Sequence, residues 1–295
     1  MRSRPTVSLL SFVLILLSTA TARADLSRNQ ARKLIADISG VYLSKGDIHV
    51  VNVTQGEGAS TNVTAQIELA FRATQTKNGI WRLSEVRIGS EKWEELALIA
   101  RAGNFRLSEP DCKSGAKASG LQNSEARCLI ANLFGVNLPS DEVRIKEISA
   151  FGLPFGPRAS ALIVSLVELS FRFANENGKW ELTGFKSGSH DWSDVRALHQ
   201  SLDTQKQTVA KADLELIVKA LDSYRRDRGS FVISEKESVV IDHLSPRYLR
   251  HVIRLDPWHR PYQYRGERDR YTLRSLGPDG KPDTSDDVVA TSTNP

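Results

Sequence analysis

Two stretches of sequence one hundred positions apart decide the fold: Ile67-Glu68-Leu69-Ala70-Phe71-Arg72 and Val167-Glu168-Leu169-Ser170-Phe171-Arg172. In each stretch large apolar side chains alternate with polar or small ones, a period-two pattern that is typical of a half-buried β-strand. The sequence around the two stretches also recurs in the same order. Residues 31–36 resemble residues 126–131, and residues 78–83 resemble residues 177–182. An ordered set of matches at a nearly constant offset predicts a duplicated structural unit.

Each copy of this unit can be interpreted in the same way. The first segment carries an apolar stripe at helical spacing, formed by Ala31, Leu34, Ile35 and Ile38 in one copy and by Ala126, Leu129, Ile130 and Leu133 in the other. An Asn-Gly pair stands before each tryptophan-containing strand and predicts a hairpin. A short helix around Trp93 or Trp192 is expected to close the unit. The predicted fold class is α+β: two tandem helix and antiparallel-sheet repeats, followed by a different domain.

The first 24 residues have the features of a secretory signal peptide. Arg2 and Arg4 precede an apolar run over residues 7–17, and Ala22-Arg23-Ala24 fits a cleavage site. After cleavage before Asp25, no segment of the sequence is long and apolar enough to span a membrane. The sequence therefore predicts an exported protein, periplasmic or extracellular, with an uncleaved N-terminal anchor as the alternative.

The charge of the chain says little about its partners, because 40 basic side chains stand against 35 acidic ones. Eight arginines lie between Arg247 and Arg274, and such a cluster can face anionic lipid or nucleic acid. Since the protein is predicted to be exported, we expect no nucleic-acid partner and interpret these arginines as solvated strand residues with some acidic pairing.

Cys112 and Cys128 are the two cysteines of the chain. Their spacing matches no zinc motif, and an oxidising compartment favours a disulfide between them. A buried free thiol at Cys128 is the alternative.

These features divide the chain into five segments. The signal peptide (1–24) is followed by repeat module 1 (25–105), a linker rich in Pro, Gly, Ser and Lys (106–122), repeat module 2 (123–202) and a C-terminal domain (203–295). In the C-terminal domain, helical spacing predicts a long amphipathic helix over residues 205–228 that ends at Gly229. Alternation predicts two strands, at residues 262–264 and 270–274.

Five motifs of the C-terminal domain occur in a specific order. They are Ala220-Leu221 with Tyr224, Asp227 and Gly229; Leu244-Ser245-Pro246-Arg247-Tyr248-Leu249; Asp256-Pro257-Trp258 with Pro261-Tyr262-Gln263-Tyr264; Ser275-Leu276-Gly277-Pro278-Asp279-Gly280; and Asp286-Asp287. In this order the domain resembles the major pseudopilin of bacterial type II secretion, over about residues 205–290. The resemblance implies a three-stranded sheet packed on a long helix, with a calcium ion fixing the last loop.

The residues of that loop favour a hard cation by their own chemistry. Asp279, Asp283, Asp286 and Asp287 supply carboxylate oxygens, the ligands that Ca²⁺ prefers, while nearby glycines allow carbonyl groups to turn inward. The resemblance implies Asp279, Asp286 and Asp287 as side-chain ligands and Leu276 as a carbonyl donor. A solvated acidic turn is the alternative, because Asp and Gly are common in turns.

The chain departs from the pseudopilin pattern at two places. Family members begin with a prepilin-peptidase site and an apolar helix that assembles the filament, and no such helix precedes Gln205 in this sequence. His259 and Arg260 stand where the family commonly has a glycine and a small polar residue.

The sequence contains no recognisable catalytic motif: it lacks HExxH-like metal spacing, a G-x-S-x-G elbow and a phosphate loop. We therefore expect a non-enzymatic accessory or interaction component related to protein secretion, whose partners are proteins of a secretion apparatus or of the envelope. A periplasmic or extracellular protein that binds a ligand between its repeats is the alternative, and an unrecognised hydrolase is a third hypothesis. The sequence does not indicate an oligomeric state.

Overall fold

The computed structural model describes residues 26–37, 46–89, 92–107, 112, 120–134, 142–151, 159–188 and 190–292. The predicted signal peptide and most of the predicted linker lie outside these residues. No helix within the described ranges combines the length and apolar character needed to cross a bilayer.

Among the described residues, the first half of the N-terminal region contains two helices and four strands. They are α1 (Arg28–Ala36), β1 (Ile48–Gln55), β2 (Ser60–Gln75), β3 (Trp81–Ile88), β4 (Glu94–Glu95) and α2 (Leu96–Ala102). Helix α1 begins with a capping box: the Ser27 hydroxyl accepts a hydrogen bond from the amide of Gln30, and the Gln30 side chain accepts one from the amide of Ser27. This reciprocal pair satisfies two amide groups that the start of a helix leaves without partners.

The second half has the same order of elements. They are α3 (Asn123–Phe134), β5 (Val143–Phe151), β6 (Ser160–Glu176), β7 (Lys179–Ser187), β8 (Ser193–Asp194) and α4 (Val195–Arg228). The protein is therefore α+β with antiparallel sheets, as predicted.

The eight strands that the structure describes in these two halves form one sheet rather than two separate ones. The long strands β2 and β6 pair along nearly their whole length at its centre, and Ile67 lies opposite Val167. Strands β1 and β3 pair with the first and last parts of β2, and β5 and β7 do the same with β6. The two predicted repeat modules consequently share one hydrophobic core.

The irregular positions of the sheet also correspond between the halves. One residue bulges from β1 between Val50 and Asn52, and one bulges from β5 between Ile145 and Glu147. A bulge bends its strand and increases the local twist. The corresponding strands therefore bend at corresponding places.

One face of the sheet is buried beneath α1 and α3. Val63, Phe71 and Ile163 point into this core with no exposed surface, together with Ile130 of α3. Because side chains alternate across a strand, the odd-numbered positions of β2 and β6 supply this face, as their alternating sequences predicted. A disulfide joins Cys112 to Cys128 of α3. It confirms the favoured interpretation of the two cysteines and excludes the free thiol.

Two tryptophans before the short strands pack against cationic side chains. The guanidinium groups of Arg72 and Arg172 lie 4.2 and 4.1 Å from the ring centroids of Trp93 and Trp192, respectively. The prediction of a short helix around each tryptophan was wrong in position and, at Trp192, also in length, because the helix that follows is the 34-residue α4. Each tryptophan precedes a two-residue strand, and the helix starts after that strand.

Helix α4 connects the sheet to the C-terminal domain without a break. The carboxylate of Asp194 caps it by accepting a hydrogen bond from the amide of Ala197, and Gly229 ends it with a φ of 76°. The helix thus begins ten residues before the predicted start at Gln205. The domain boundary expected between residues 202 and 203 falls inside it.

The C-terminal domain packs a small sheet on the second half of α4. Its other elements are α5 (Glu237–Leu244) and the antiparallel strands β9 (Gln263–Gly266), β10 (Tyr271–Ser275) and β11 (Val288–Thr291), with β10 in the middle. Leu221 of α4 and Leu273 of β10 are among its fully buried side chains. The long helix and small sheet agree with the architecture that the pseudopilin resemblance implies.

Candidate cation loop and its attachment to the sheet domain

The candidate loop comprises residues 276–287, which join β10 to β11. Ser275 and Val288 pair with each other at the ends of these strands, so both ends of the loop are fixed by the sheet. The five residues predicted to bind calcium, namely Leu276, Asp279, Asp283, Asp286 and Asp287, all lie on this loop.

Asp279 and Asp286 are linked around Thr284. The amide of Asp279 donates to Oδ2 of Asp286 over 3.1 Å, and the Thr284 hydroxyl donates to Oδ1 of Asp286 over 2.7 Å. The Thr284 hydroxyl and then the Asp279 amide hold the pKa of Asp286 below its ordinary value, because both stabilise the ionised form. Asp286 is therefore kept as a carboxylate.

Asp283 and Asp287 form a second pair, close to Arg274. The amide of Asp283 donates to Oδ2 of Asp287 over 2.8 Å, and the Arg274 guanidinium lies 2.8 Å from Asp283 and 3.8 Å from Asp287. The Asp287 side chain is only 5% exposed, and its Oδ1 is buried with no hydrogen-bond partner. A buried carboxylate oxygen without a partner is costly, which makes this atom the loop's most conspicuous unsatisfied group.

The backbone of the loop turns sharply at its first residues. The Leu276 carbonyl accepts a hydrogen bond from the amide of Gly280 over 3.2 Å. Gly277 has a φ of 60°, and a Cβ atom there would lie 2.4 Å from the Asp286 carbonyl oxygen. Only glycine permits this close approach between the two ends of the loop.

Arg260 contacts the loop from the turn before β9, and the sequence did not predict this contact. Its guanidinium donates to the carbonyl oxygens of Gly277 and, over 3.0 Å, Pro278. Its neighbour His259 has a φ of 64°, a conformation that glycine adopts without strain. At the second of these two positions, where the chain departs from the family pattern, the Arg260 guanidinium therefore lies against the start of the loop.

Asp256 holds this turn to the strand that leads into the loop. Its carboxylate is buried and accepts hydrogen bonds from the amides of Trp258 and Arg260 and, over 2.6 Å, from the hydroxyl of Ser275. The turn carrying Arg260 and the end of β10 are therefore one hydrogen-bonded unit.

The same turn attaches the C-terminal domain to the first half of the sheet domain, which comprises the eight-stranded sheet with α1, α2 and α3. The Lys92 ammonium donates to the carbonyls of Trp258 and His259, in both cases over 3.3 Å. The Trp258 indole donates to the carboxylate of Asp203 on α4 over 2.9 Å. These bonds join three elements that are distant in sequence.

A buried ion pair lies beside this contact. The Lys206 ammonium of α4 lies 2.7 Å from Oε1 of Glu94 in β4, with the side chains 6% and 30% exposed. The imidazole Nε2 of His259 lies 3.7 Å from the same carboxylate oxygen and has no hydrogen-bond partner. Glu94 therefore connects the sheet to both α4 and the turn.

The described loop residues form two carboxylate pairs rather than a closed cage. Within the part of the chain that the structure describes, no three acidic, histidine or cysteine side chains converge as a metal site would require. Several of the carboxylate oxygens accept hydrogen bonds from loop amides instead. Asp287 Oδ1 is the buried carboxylate oxygen of the loop that receives no hydrogen bond among the described residues.

Comparisons with known proteins converge on the C-terminal domain. A protein family described as type II secretion system (T2SS), protein G, matches residues 197–292. The type II secretion system core protein G of Pseudomonas aeruginosa is 36% identical over 97 residues, which cover 28% of this chain and 68% of that protein. No solved structure gives a significant match. The matched residues begin near the start of α4 and end after β11, so they coincide with the helix, the small sheet and the candidate loop.

Proposed function

The chain belongs to the type II secretion system protein G family through its C-terminal domain, and from this membership we propose that it is a non-enzymatic, exported accessory or interaction component of protein secretion. Its partners would be protein components of the secretion apparatus in the cell envelope. The observation that carries the proposal is the match over residues 197–292, which spans the whole helix-and-sheet architecture of the domain.

The surroundings of α4 support an accessory rather than a polymerising role. In the pseudopilin pattern, the helix is preceded by the apolar segment that assembles the filament. In this chain the eight-stranded sheet precedes α4, and the Ser201 hydroxyl of α4 donates to the Ala102 carbonyl of α2 over 2.9 Å. The N-terminal part of α4 is thus engaged within the chain.

We also infer that the sheet domain is a duplicated unit. The matching order of elements, the pairing of Ile67 with Val167 and the corresponding bulges in β1 and β5 support this inference. Duplication would give the chain two related surfaces from one unit.

A binding experiment tests the secretion proposal. The purified full chain is immobilised, and soluble domains of type II secretion core components from the same organism are passed over it, together with an unrelated periplasmic protein as the control. We expect selective binding to at least one secretion component, and reduced export of type II substrates when the gene is deleted. Absence of binding to every component, together with unchanged export, would overturn the proposal.

We further propose that the 276–287 loop binds Ca²⁺. The buried, unpartnered Oδ1 of Asp287 supports this proposal, because an oxygen with no hydrogen-bond donor is available to a cation. Asp279, Asp286 and Asp287 would hold the ion with their side chains, with the Leu276 carbonyl and Asp283 as further donors. A bound ion would supply positive charge to a loop that carries four carboxylates.

The calcium proposal is tested by the melting temperature of the chelator-treated full chain. A ligand that binds only the native state stabilises it, by about 2.7 kcal/mol at one hundred times its Kd. We expect Ca²⁺ to raise the melting temperature of the wild type and of the control Asp269→Asn, whose exposed carboxylate lies outside the loop. Asp287→Asn should lose the response. Equal melting curves with and without Ca²⁺ for the wild type would rule out the site.

A further inference from the structure

The loop at residues 250–255, which follows α5 and precedes the turn around Asp256, exposes apolar and basic side chains together. Its sequence is Arg250-His251-Val252-Ile253-Arg254-Leu255. Val252 and Leu255 are 53% and 50% exposed, and the three basic side chains are exposed as well. Large apolar residues are more often buried. The loop therefore presents to solvent two apolar side chains that a folded chain ordinarily covers.

The backbone of this loop is held by the rest of the C-terminal domain. The Ile253 side chain packs against the buried core of the domain. Leu255 pairs with Pro261 in an isolated β-bridge, and the Arg254 carbonyl accepts a hydrogen bond from the amide of Tyr262 over 3.4 Å. Because these contacts fix the inner side of the loop, the exposure of its outer side chains is a property of the folded domain.

Arg250 and Arg254 carry positive charge that no described residue neutralises in an ion pair. The next carboxylate along the chain, Asp256, is buried and accepts hydrogen bonds from backbone amides and from the hydroxyl of Ser275. The nearest carboxylate before the loop, Asp242, lies eight positions away on α5. The interpretation of the arginines of this region as solvated strand residues therefore does not fit these two, which lie on a loop.

An anionic phospholipid surface matches both the charge and the apolar side chains of this loop. Its phosphate groups accept hydrogen bonds from guanidinium groups, and its acyl chains lie directly beneath them. An acidic protein surface would pair with the arginines, but it would cover Val252 and Leu255 only if it also carried an apolar patch between its acids. A nucleic acid offers phosphates without a comparable apolar layer.

We propose that the 250–255 loop makes a peripheral contact with an anionic phospholipid bilayer. Its two arginines bind headgroup phosphates, and Val252 and Leu255 enter the apolar layer beneath. Each arginine near an anionic surface strengthens binding by about fivefold, so the two together contribute about 25-fold. A contact of this strength is reversible and orients the chain on the surface. The proposal does not depend on the secretion or calcium proposals, because it rests on the side chains of the loop alone.

Vesicle sedimentation of the full chain tests this proposal. Vesicles of phosphatidylcholine alone are compared with vesicles of an equal mixture of phosphatidylcholine and phosphatidylglycerol, in low-salt buffer without divalent cations. We expect about tenfold or stronger binding to the mixed vesicles, and loss of most of this difference when the salt concentration is raised to about 0.5 M. Equal binding to the two kinds of vesicle would overturn the proposal.

Two pairs of arginine substitutions locate the contact. The pair Arg250→Gln and Arg254→Gln should weaken binding to the mixed vesicles about tenfold or more. The control pair Arg226→Gln and Arg228→Gln removes the same charge from exposed side chains at the end of α4, and it should leave binding within about twofold. Circular dichroism checks that both variants fold. Equal weakening by the two pairs would show that only net charge matters and would overturn the proposal.

A further pair, Val252→Ser and Leu255→Ser, distinguishes a bilayer from an acidic protein partner. It retains both arginines and should weaken binding to the mixed vesicles about fivefold or more, because the apolar contribution is lost. Soluble polyglutamate, which offers carboxylates without an apolar layer, should bind the wild type more weakly than the mixed vesicles do. Unchanged vesicle binding by the folded serine variant, or equally strong binding of polyglutamate, would indicate a partner recognised by charge alone and contradict the bilayer contact.

Discussion

In the ion pair between Lys206 and Glu94, we expect that removing the lysine and removing the glutamate will lower the free energy of unfolding by different amounts. The two charged atoms lie 2.7 Å apart, but the Lys206 side chain is 6% exposed and that of Glu94 is 30% exposed. Removing one partner of a buried pair strands the other charge, at about 3–5 kcal/mol when that charge is fully buried. The cost therefore depends on which charge remains.

In Glu94→Gln the buried ammonium remains. The amide oxygen can still accept its hydrogen bond, so we expect a loss of about 2–3 kcal/mol in the free energy of unfolding rather than the full penalty. In Lys206→Met the remaining carboxylate is partly in water, and methionine replaces the packing of the lysine stem, so we expect a loss of about 1 kcal/mol or less. The double variant leaves no stranded charge and should lie within about 1 kcal/mol of the wild type.

Urea denaturation of the full chain, followed by circular dichroism, measures these differences. The pair Lys179 and Glu181 is the control, because its charged atoms lie 3.3 Å apart and its side chains are 79% and 41% exposed. The matching substitutions there should each change the free energy of unfolding by no more than about 0.5 kcal/mol. The reasoning is refuted if Lys206→Met is more destabilising than Glu94→Gln, or if the double variant is as unstable as Glu94→Gln.

Two further predictions concern α4 and the loop. Burial raises the pKa of Asp213, although a 2.9 Å hydrogen bond from the Tyr262 hydroxyl opposes the shift. The folded state thus binds the Asp213 proton more tightly than the unfolded state does. The stability that protonated Asp213 contributes is lost as the pH rises from the ordinary pKa of an aspartate through the raised pKa of the folded state. We expect the free energy of unfolding of Asp213→Asn, measured by urea denaturation, to rise relative to that of the wild type between about pH 4 and pH 7, and parallel curves would contradict this. Gly277→Ala should cost about 1–3 kcal/mol more than Gly58→Ala in the same assay, because both glycines have positive φ but only Gly277 has atoms within 4 Å of the added Cβ; equal losses would argue against the close contact.

The sequence predicted local structure well where a periodic pattern met a clear end signal. Alternation around Ile67 and Val167 identified the two central strands and the face that each buries. Helical spacing followed by Gly229 identified the C-terminal end of α4. These features are determined by neighbours in sequence, which is why they could be predicted.

The pairing of the two halves could not be predicted in the same way. A period-two pattern identifies the buried face of a strand but not the strand that lies beside it. The pairing of β2 with β6 in one sheet is determined by tertiary packing, in which α1 and α3 cover the same face of the sheet. The start of α4 was missed for a related reason, because its first turns pack on α2 rather than on the C-terminal core.

The cation loop shows a similar division. Its acidic residues and glycines were evident, but Arg260 lies sixteen positions before Leu276 and its contact with the loop depends on the hydrogen-bonded turn around Asp256. The unusual residues at positions 259 and 260 were the available signal. They indicated an altered turn without indicating where the guanidinium would lie.

The continuity of α4 determines how the C-terminal domain can meet a partner. The first turns of this helix contact α2, and Lys206 is buried against Glu94, so an assembly through this end of α4 would have to break the ion pair and expose the ammonium. Surfaces farther along the domain carry no such cost, and they include apolar side chains such as Ile233 and Val289, which are 69% and 52% exposed. A secretion partner that binds the intact chain should therefore contact the far side of the small sheet. The Glu94→Gln variant, which weakens the attachment at α4, should leave that binding unchanged.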